Sequence, residues 1–189
     1  MFAIYYCHLG LIKVTLQVIY VNMTDLNSDN LTIINEEELR QGIELLFYAY
    51  RDFTSEPDTI LAKWGFGRAH HRVIYFVGRN PNITVTELLV ILKITKQSLS
   101  RVLRKLLEDN FINQRADPSD RRKKLMTLTE KGLELESELT NTQMHRFTRA
   151  YKETGIEAVE GFRRVLSSIM NPEDRSLVRP KNRARNNLI

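Results

Sequence analysis

The sequence predicts a mainly α-helical chain with one small β-hairpin, in the order helix, turn, helix, hairpin. Three observations carry this prediction. Apolar residues recur at helical spacing in several separate stretches. Asn35, Thr84, Thr95 and Thr129 each stand just ahead of such a stretch, as N-caps do. Two short runs, Phe111 to Ala116 and Lys123 to Leu128, flank the turn-rich segment Asp117-Pro118-Ser119-Asp120-Arg121-Arg122. Composition agrees with a packed chain: 42% of the 189 residues are hydrophobic and 27% charged. That is too apolar for a disordered chain, and no low-complexity or collagen-like pattern appears.

Asn35 is followed by Glu36, Glu37 and Glu38, an N-cap with an acid at N3 and further acids at the positive end of the helix dipole. Leu39, Ile43, Leu46, Phe47 and Tyr50 then predict a helix to about Phe53, interrupted by Glu56-Pro57-Asp58. A short turn or helix near Ile60 to Trp64 leads to Gly65-Phe66-Gly67. A second helix is predicted over Arg68 to Arg79, with Ala69, Val73, Phe76 and Val77 inward, and Asn80-Pro81-Asn82 ends it. Thr84-Val85-Thr86-Glu87 is a capping box and opens a short helix through Leu92. After a break at Lys93-Ile94, Thr95 caps a longer helix to about Asp109, with Asn110 as a left-handed stop. Lys93 stands where such a turn often carries glycine; a left-handed Lys93 costs about 1 kcal/mol relative to glycine. Beyond the hairpin, Thr129 caps a helix to about Tyr151. Gly155 breaks the chain, and Ile156, Val159, Phe162, Val165, Leu166 and Ile169 mark a final amphipathic helix.

Charge is unevenly placed. Glu36 to Ile60 holds seven acids and two bases, Lys93 to Lys124 ten bases and four acids, and Arg163 to Ile189 seven bases and two acids. A basic block within a periodic region suggests an anionic partner such as nucleic acid, whereas a charge run alone usually means a solvated surface. The helix after Thr95 sharpens the choice. Leu99, Val102, Leu103, Leu106 and Leu107 form its inward stripe, and Lys96, Gln97, Ser98, Ser100, Arg101, Arg104 and Lys105 occupy the remainder. Long donors beside small hydroxyls suit a major groove: Gln97 and Arg101 as base readers, Ser100 for close approach, Lys96 and Lys105 on phosphates. The hairpin tip adds Asp120, Arg121, Arg122 and Lys123. A basic tip can place an arginine in the minor groove, with Asp120 holding one arginine in its working geometry.

The run Thr95-Lys96-Gln97-Ser98-Leu99-Ser100-Arg101-Val102-Leu103, the D-P-x-D-R-R pattern at Asp117 to Arg122, and Leu128-Thr129-Glu130-Lys131-Gly132 together resemble the MarR family of bacterial transcription regulators. The resemblance covers about Glu37 to Met170 and is most specific from Ile83 to Gly132. It implies a winged helix-turn-helix domain plus terminal dimerisation helices, with residues 35–170 as that domain. It further implies a homodimer on a pseudo-palindromic operator of double-stranded DNA, the helix from Thr95 as recognition helix, and Asp120 and Arg122 in the wing. Many family members are repressors released by small aromatic compounds; here Tyr48, Trp64, Phe66 and Tyr75 are candidates for a pocket, and core packing is the plainer reading of each.

No cofactor and no metal site is expected. His70 and His71 are adjacent on a helix and point about 100° apart, which makes a poor chelating pair. Cys7 is the single cysteine, so an intramolecular disulfide is impossible; this usage suits a cytoplasmic protein. Ile4 to Val21 is interrupted by His8, Lys13 and Gln17 and reads as a strand rather than a membrane span. Residues 1–34 are read as an extension, with Met23 an alternative natural start, and 171–189 as a basic, mobile tail. An enzyme is not expected, since no phosphate-binding glycine loop or Cys–His pair appears. The competing reading is a winged-helix protein-interaction module without specific DNA binding, which would tend to expose aromatics rather than Lys, Gln, Ser and Arg.

Overall fold

The structure, a computed structural model, describes residues 34–178. The alternative start at Met23, the strand-like segment around Lys13, Cys7, His8 and the basic positions from Arg179 onward lie outside the described residues. The chain divides into two compact units, Met1–Tyr48 and Ala49–Ile189.

The described part of the first unit belongs to helix α1 (Glu36–Ala62), which continues into the second. The capping box forms: the Glu38 N–H donates to Asn35 Oδ1 at 3.0 Å, and the Asn35 N–H donates to the Glu38 carboxylate at 2.8 Å. Leu39, Ile43, Leu46 and Phe47 are about half exposed or more. The expected stop after Phe53 is not there. Pro57 brings no N–H for the Phe53 carbonyl, yet the helix runs through it. Hydroxyls on both sides hold the local backbone: Thr54 donates to the Tyr50 and Arg51 carbonyls, Ser55 to Asp52 and Thr59 to Ser55. The Pro57 ring is buried, so packing offsets the lost bond.

In the second unit, α2 (Arg68–Arg79) has the predicted bounds. Its inward face is Val73, Ile74 and Val77; Ala69, expected inward, is exposed. Strand β1 (Ile83–Thr84) leads into α3 (Val85–Leu92), and Thr84 caps α3. The Glu87 N–H donates to Thr84 Oγ1, while the Thr84 N–H and hydroxyl donate to the Glu87 carboxylate at 2.8 and 2.7 Å. Lys93 is left-handed (φ 49°, ψ 43°), and the tight turn it makes leads to α4 (Lys96–Glu108), capped by Thr95. Asn110 is left-handed at φ 61°. Strands β2 (Ile112–Ala116) and β3 (Lys124–Leu128) pair antiparallel, Ile112 opposite Leu128 and Ala116 opposite Lys124. The sheet order is β1-β3-β2, with Ile83 opposite Met126. The two-residue β1 was not readable beforehand, because so short a strand has no periodicity.

Helix α5 (Glu130–Ile169) is capped by Thr129 and interrupted at Gly155 (φ 80°, ψ 173°), where the predicted break falls. The Gly132 N–H donates to Thr129 Oγ1, and Thr129 in turn donates through its hydroxyl to the Asn110 carbonyl and through its N–H to the Phe111 carbonyl. Where a mobile tail was expected, Pro172–Leu177 forms a 3-10 turn. The core joins Leu61, Val73, Ile74, Val77, Leu88, Leu99, Leu106, Phe111, Met126 and Leu139, all fully buried. Each large side chain there contributes about 1.5–3 kcal/mol. It holds α4 and the hairpin on one scaffold.

Thr84→Ala is expected to lower stability by about 1 kcal/mol, read from the denaturant midpoint. The Thr84 N–H and hydroxyl hold the Glu87 carboxyl below its ordinary 4.5. A lowered folded value gives stability that is present above 4.5 and lost as the pH falls through the folded value. The gap between the midpoints of wild type and Thr84→Ala should therefore narrow in acid, where the hydroxyl–carboxylate bond is lost, and leave the part owed to the Glu87 N–H bond to Thr84 Oγ1.

Candidate nucleic-acid interface

Helix α4 forms because its buried stripe of Leu99, Val102, Leu103 and Leu106 repeats at i, i+3, i+4 and i+7. That stripe fixes what points outward. At 100° per residue, Gln97, Arg101 and Arg104 lie along the centre of the opposite face. Lys96 and Ser100 flank it on one side, Ser98 and Lys105 on the other. Lys96, Gln97, Ser98, Ser100, Arg101 and Arg104 are all exposed. Among the described residues, the side chains of Lys96, Gln97, Arg101 and Arg104 make no hydrogen bond or ion pair with another side chain. Ser98 belongs to the cap, its N–H donating to Thr95 Oγ1 and its hydroxyl accepting from Thr95 at 2.9 Å. Lys105 differs from the phosphate-facing expectation. Its ammonium sits 2.9 Å from the Asp109 carboxylate and 5.5 Å from the Phe66 ring centre, turned toward the flank of the helix.

The hairpin tip is closed by local hydrogen bonds. The Asp117 N–H donates to the Lys123 carbonyl and the Lys123 N–H to the Asp120 carbonyl. Asp117 Oδ1 accepts from the Ser119 N–H and hydroxyl, which hold the Asp117 carboxyl below its ordinary value. Asp120 does not hold an arginine side chain, as the sequence suggested. Its Oδ1 accepts the Arg122 backbone N–H at 3.0 Å. A carboxylate two residues ahead of an N–H makes that bond with little ordering cost, whereas a guanidinium partner would need a long side chain fixed. The outcome is a shaped loop with Arg121, Arg122 and Lys123 exposed. Arg115 and Lys124 add exposed charge to the same hairpin, and Arg115 donates to Asn82 Oδ1 at 3.1 Å. The sequence does not single out Arg115, which the strand register places opposite Leu125 in the hairpin.

Of the four aromatic pocket candidates, one lines a cleft. A cavity of about 480 Å³ is walled by Tyr50, Phe53, His71, Tyr75, Met144 and Phe147, with Arg68 and Arg72 at its edge. Arg72 donates to the Tyr50 hydroxyl, and Arg68 makes a two-toothed pair with Asp58. Trp64 and Phe66 instead pack edge-on against Phe111, and Phe66 is buried there, because core volume behind α2 is filled by rings. Tyr48 lies in the first unit. His70 stacks on Phe66 and accepts the Gly67 N–H through Nδ1, while His71 faces the cleft. Burial holds both imidazoles below the ordinary 6.5. Among the described residues no cluster of His, Cys, Asp and Glu is arranged for a metal, and no helix is long and apolar enough to cross a membrane.

Residues 64–123 match the family model described as MarR family. The chain is 48% identical over 144 residues to the HTH-type transcriptional regulator PetP of Rhodobacter capsulatus, an alignment covering 76% of this chain and 87% of that protein. Among solved structures, it is similar to Streptococcus pneumoniae FabT in complex with DNA, with a TM-score of 0.63, 16% identity, and coverage of 69% of this chain and 94% of that one. It is also similar to a MarR transcriptional regulator from Methanosarcina mazei, with a TM-score of 0.56, 20% identity, and coverage of 71% and 94%. At those identities the two structures speak to the fold, which is a winged helix-turn-helix in both comparisons.

Proposed function

The chain belongs to the MarR family of transcriptional regulators, and we propose that it acts as a homodimer that binds a pseudo-palindromic operator in double-stranded DNA, most simply as a cytoplasmic repressor. The single observation that carries this reading is the exposed α4 face of Lys96, Gln97, Ser100, Arg101 and Arg104 beside a hairpin whose tip arginines have no acidic side-chain partner among the described residues. Helix α4 enters the major groove by its N-terminal end, Gln97 and Arg101 reading base edges and Lys96 contacting phosphate. Arg121 and Arg122 reach the adjacent minor groove, where the potential is most negative. Lys105 and Ser98 are assigned supporting roles in this reading, one close to Asp109 and the other in the cap. The DNA complex of the FabT relative supports the choice of partner.

Two exposed apolar stripes support the dimer. One runs along α1 at Leu39, Ile43 and Phe47, the other along the end of α5 at Ile156, Phe162, Val165 and Ile169. Stripes of this length are rarely left in water by a monomer. A two-fold pairing places the two recognition helices about 34 Å apart, one DNA turn.

The cleft beside Tyr75 is proposed to take the small aromatic effector that releases DNA, with ring walls for an aromatic body and Arg72 for an acidic group. An aromatic carboxylate is expected to displace DNA from wild type and to lose at least tenfold in potency with Tyr75→Ala. Equal potency on both proteins would remove the cleft from the effector's path.

The test of DNA binding is competition on the DNA flanking the gene, with an unrelated duplex as competitor across a salt series. A steep salt slope with competitor-resistant binding is expected. Arg122→Ala is expected to weaken binding severalfold with an unchanged melting temperature, since its side chain is exposed. Full affinity in that variant at moderate salt removes Arg122 from the interface.

A further inference from the structure

The segment after α5 reaches back to the helix-turn-helix. Asn171 precedes the Pro172–Leu177 turn, and the Asp174 N–H donates to the Asn171 carbonyl at 3.0 Å. Asp174 Oδ2 lies 2.7 Å from Lys93 Nζ, and Glu173 Oε1 lies 3.8 Å from it. Lys93 and Asp174 are 81 residues apart in the chain. The far end of the turn is also placed: Leu177 lines a second cleft with Ile83, Val90 and Ile91. Arg175 ties the turn to α5 by donating to the Ser168 carbonyl. The ion pair with Lys93 and the cleft shared with Val90 and Ile91 lay the turn beside α3 as a strap rather than a loose end.

Lys93 occupies a telling position. It is the left-handed residue of the turn, two residues ahead of the Thr95 cap, at the end of α4 that carries Lys96. A helix N-terminus favours an anion, and in a major-groove complex the phosphates pass close to this end. An ammonium at Lys93 suits a phosphate there. In this structure two carboxylates hold it instead.

We propose that the Glu173–Asp174 turn is an internal competitor for DNA phosphate at Lys93, masking that ammonium when docked and yielding it when DNA binds. This rests on the DNA-binding reading above. Docked, the strap removes one phosphate contact, which lowers affinity, and neutralising the acids restores that contact. The strap follows directly on the end of α5, so it also links that helix to the helix-turn-helix.

A double-mutant cycle tests this on full-length protein. Glu173→Gln with Asp174→Asn is expected to bind duplex DNA about fivefold more tightly, with the slope of log affinity on log salt steeper by roughly 0.9, the value of one phosphate contact. Lys93→Gln is expected to cost wild type less affinity than it costs the neutralised strap, where the ammonium is free, and to abolish the gain when added there. A gain that survives Lys93→Gln would be a net-charge effect and would overturn the proposal, as would no gain at all. The cycle is read on the operator and on an unrelated duplex. Wild type that binds both equally refutes sequence-specific regulation, while the ratios within the cycle still decide the strap.

Discussion

Gly132→Ala is expected to destabilise the protein by about 3 kcal/mol, at the upper end of what overpacking costs. An added Cβ would fall well inside contact distance of the Phe111 carbonyl oxygen and 3.3 Å from the Leu128 Cβ. The carbonyl cannot step aside cheaply. It accepts the Thr129 N–H at 3.1 Å, and its own residue is fully buried with Trp64 and Phe66 edge-on at 5.2 and 5.0 Å. Lys131 covers the same ring at 4.2 Å. The measurement is a denaturant midpoint, with a lower midpoint and an unchanged slope expected. Gly161→Ala is the control: its Cβ would meet nothing within 4 Å, and exchanging glycine for alanine in a helix gains up to about 1 kcal/mol. If the two variants melt together, the close approach at Gly132 is not what that glycine is for.

Arg101→Ala is expected to cost roughly 1–3 kcal/mol of operator binding and to relax preference at one base position per half-site. Arg101 lies on the centre line of the outward face of α4 with no acidic partner among the described residues, so its guanidinium is available at no cost of breaking an ion pair. The stability of the folded protein should not change. Affinity measured on a panel of single-base operator variants separates the possible roles. A loss confined to one position marks base reading. An equal loss on every sequence, with a salt slope reduced by about one, marks a phosphate contact instead.

The contrast between what was readable beforehand and what was not follows from the range of the interactions. Caps and periodic stripes are local, so Thr84, Thr95 and Thr129 place α3, α4 and α5 correctly, and Asn110 and Gly155 mark real left-handed positions. The hairpin follows for the same reason. Pro57 misled because its effect on a helix depends on tertiary packing around the ring and on hydroxyls that happen to flank it. Asp120 misled in a smaller way: its partner is a backbone N–H, which no residue letter encodes. Phe66 went to the core, Trp64 stayed exposed with its ring edge-on against Phe111, and Tyr75 reached the cleft, because pocket membership depends on which helices meet. The contact of Lys93 with Asp174 spans most of the helical domain and has no local signature at all. The candidate site was therefore legible as a set of residue types on one helix face and one tip. The neutralisation of Lys105 by Asp109 and the strap on Lys93 required coordinates.

Selection from a random duplex pool by the purified protein tests sequence-specific recognition most directly. Enrichment of a two-fold-symmetric sequence, with half-sites one helical turn apart and an A·T-rich flank under each hairpin tip, is the result expected of a homodimer reading the major groove with α4 and the minor groove with Arg121 and Arg122. Recovery of sequences no different from the starting pool, with binding that fades uniformly as salt rises, contradicts it. The basic surface would then be only a cationic face, and the winged helix a platform for binding other proteins.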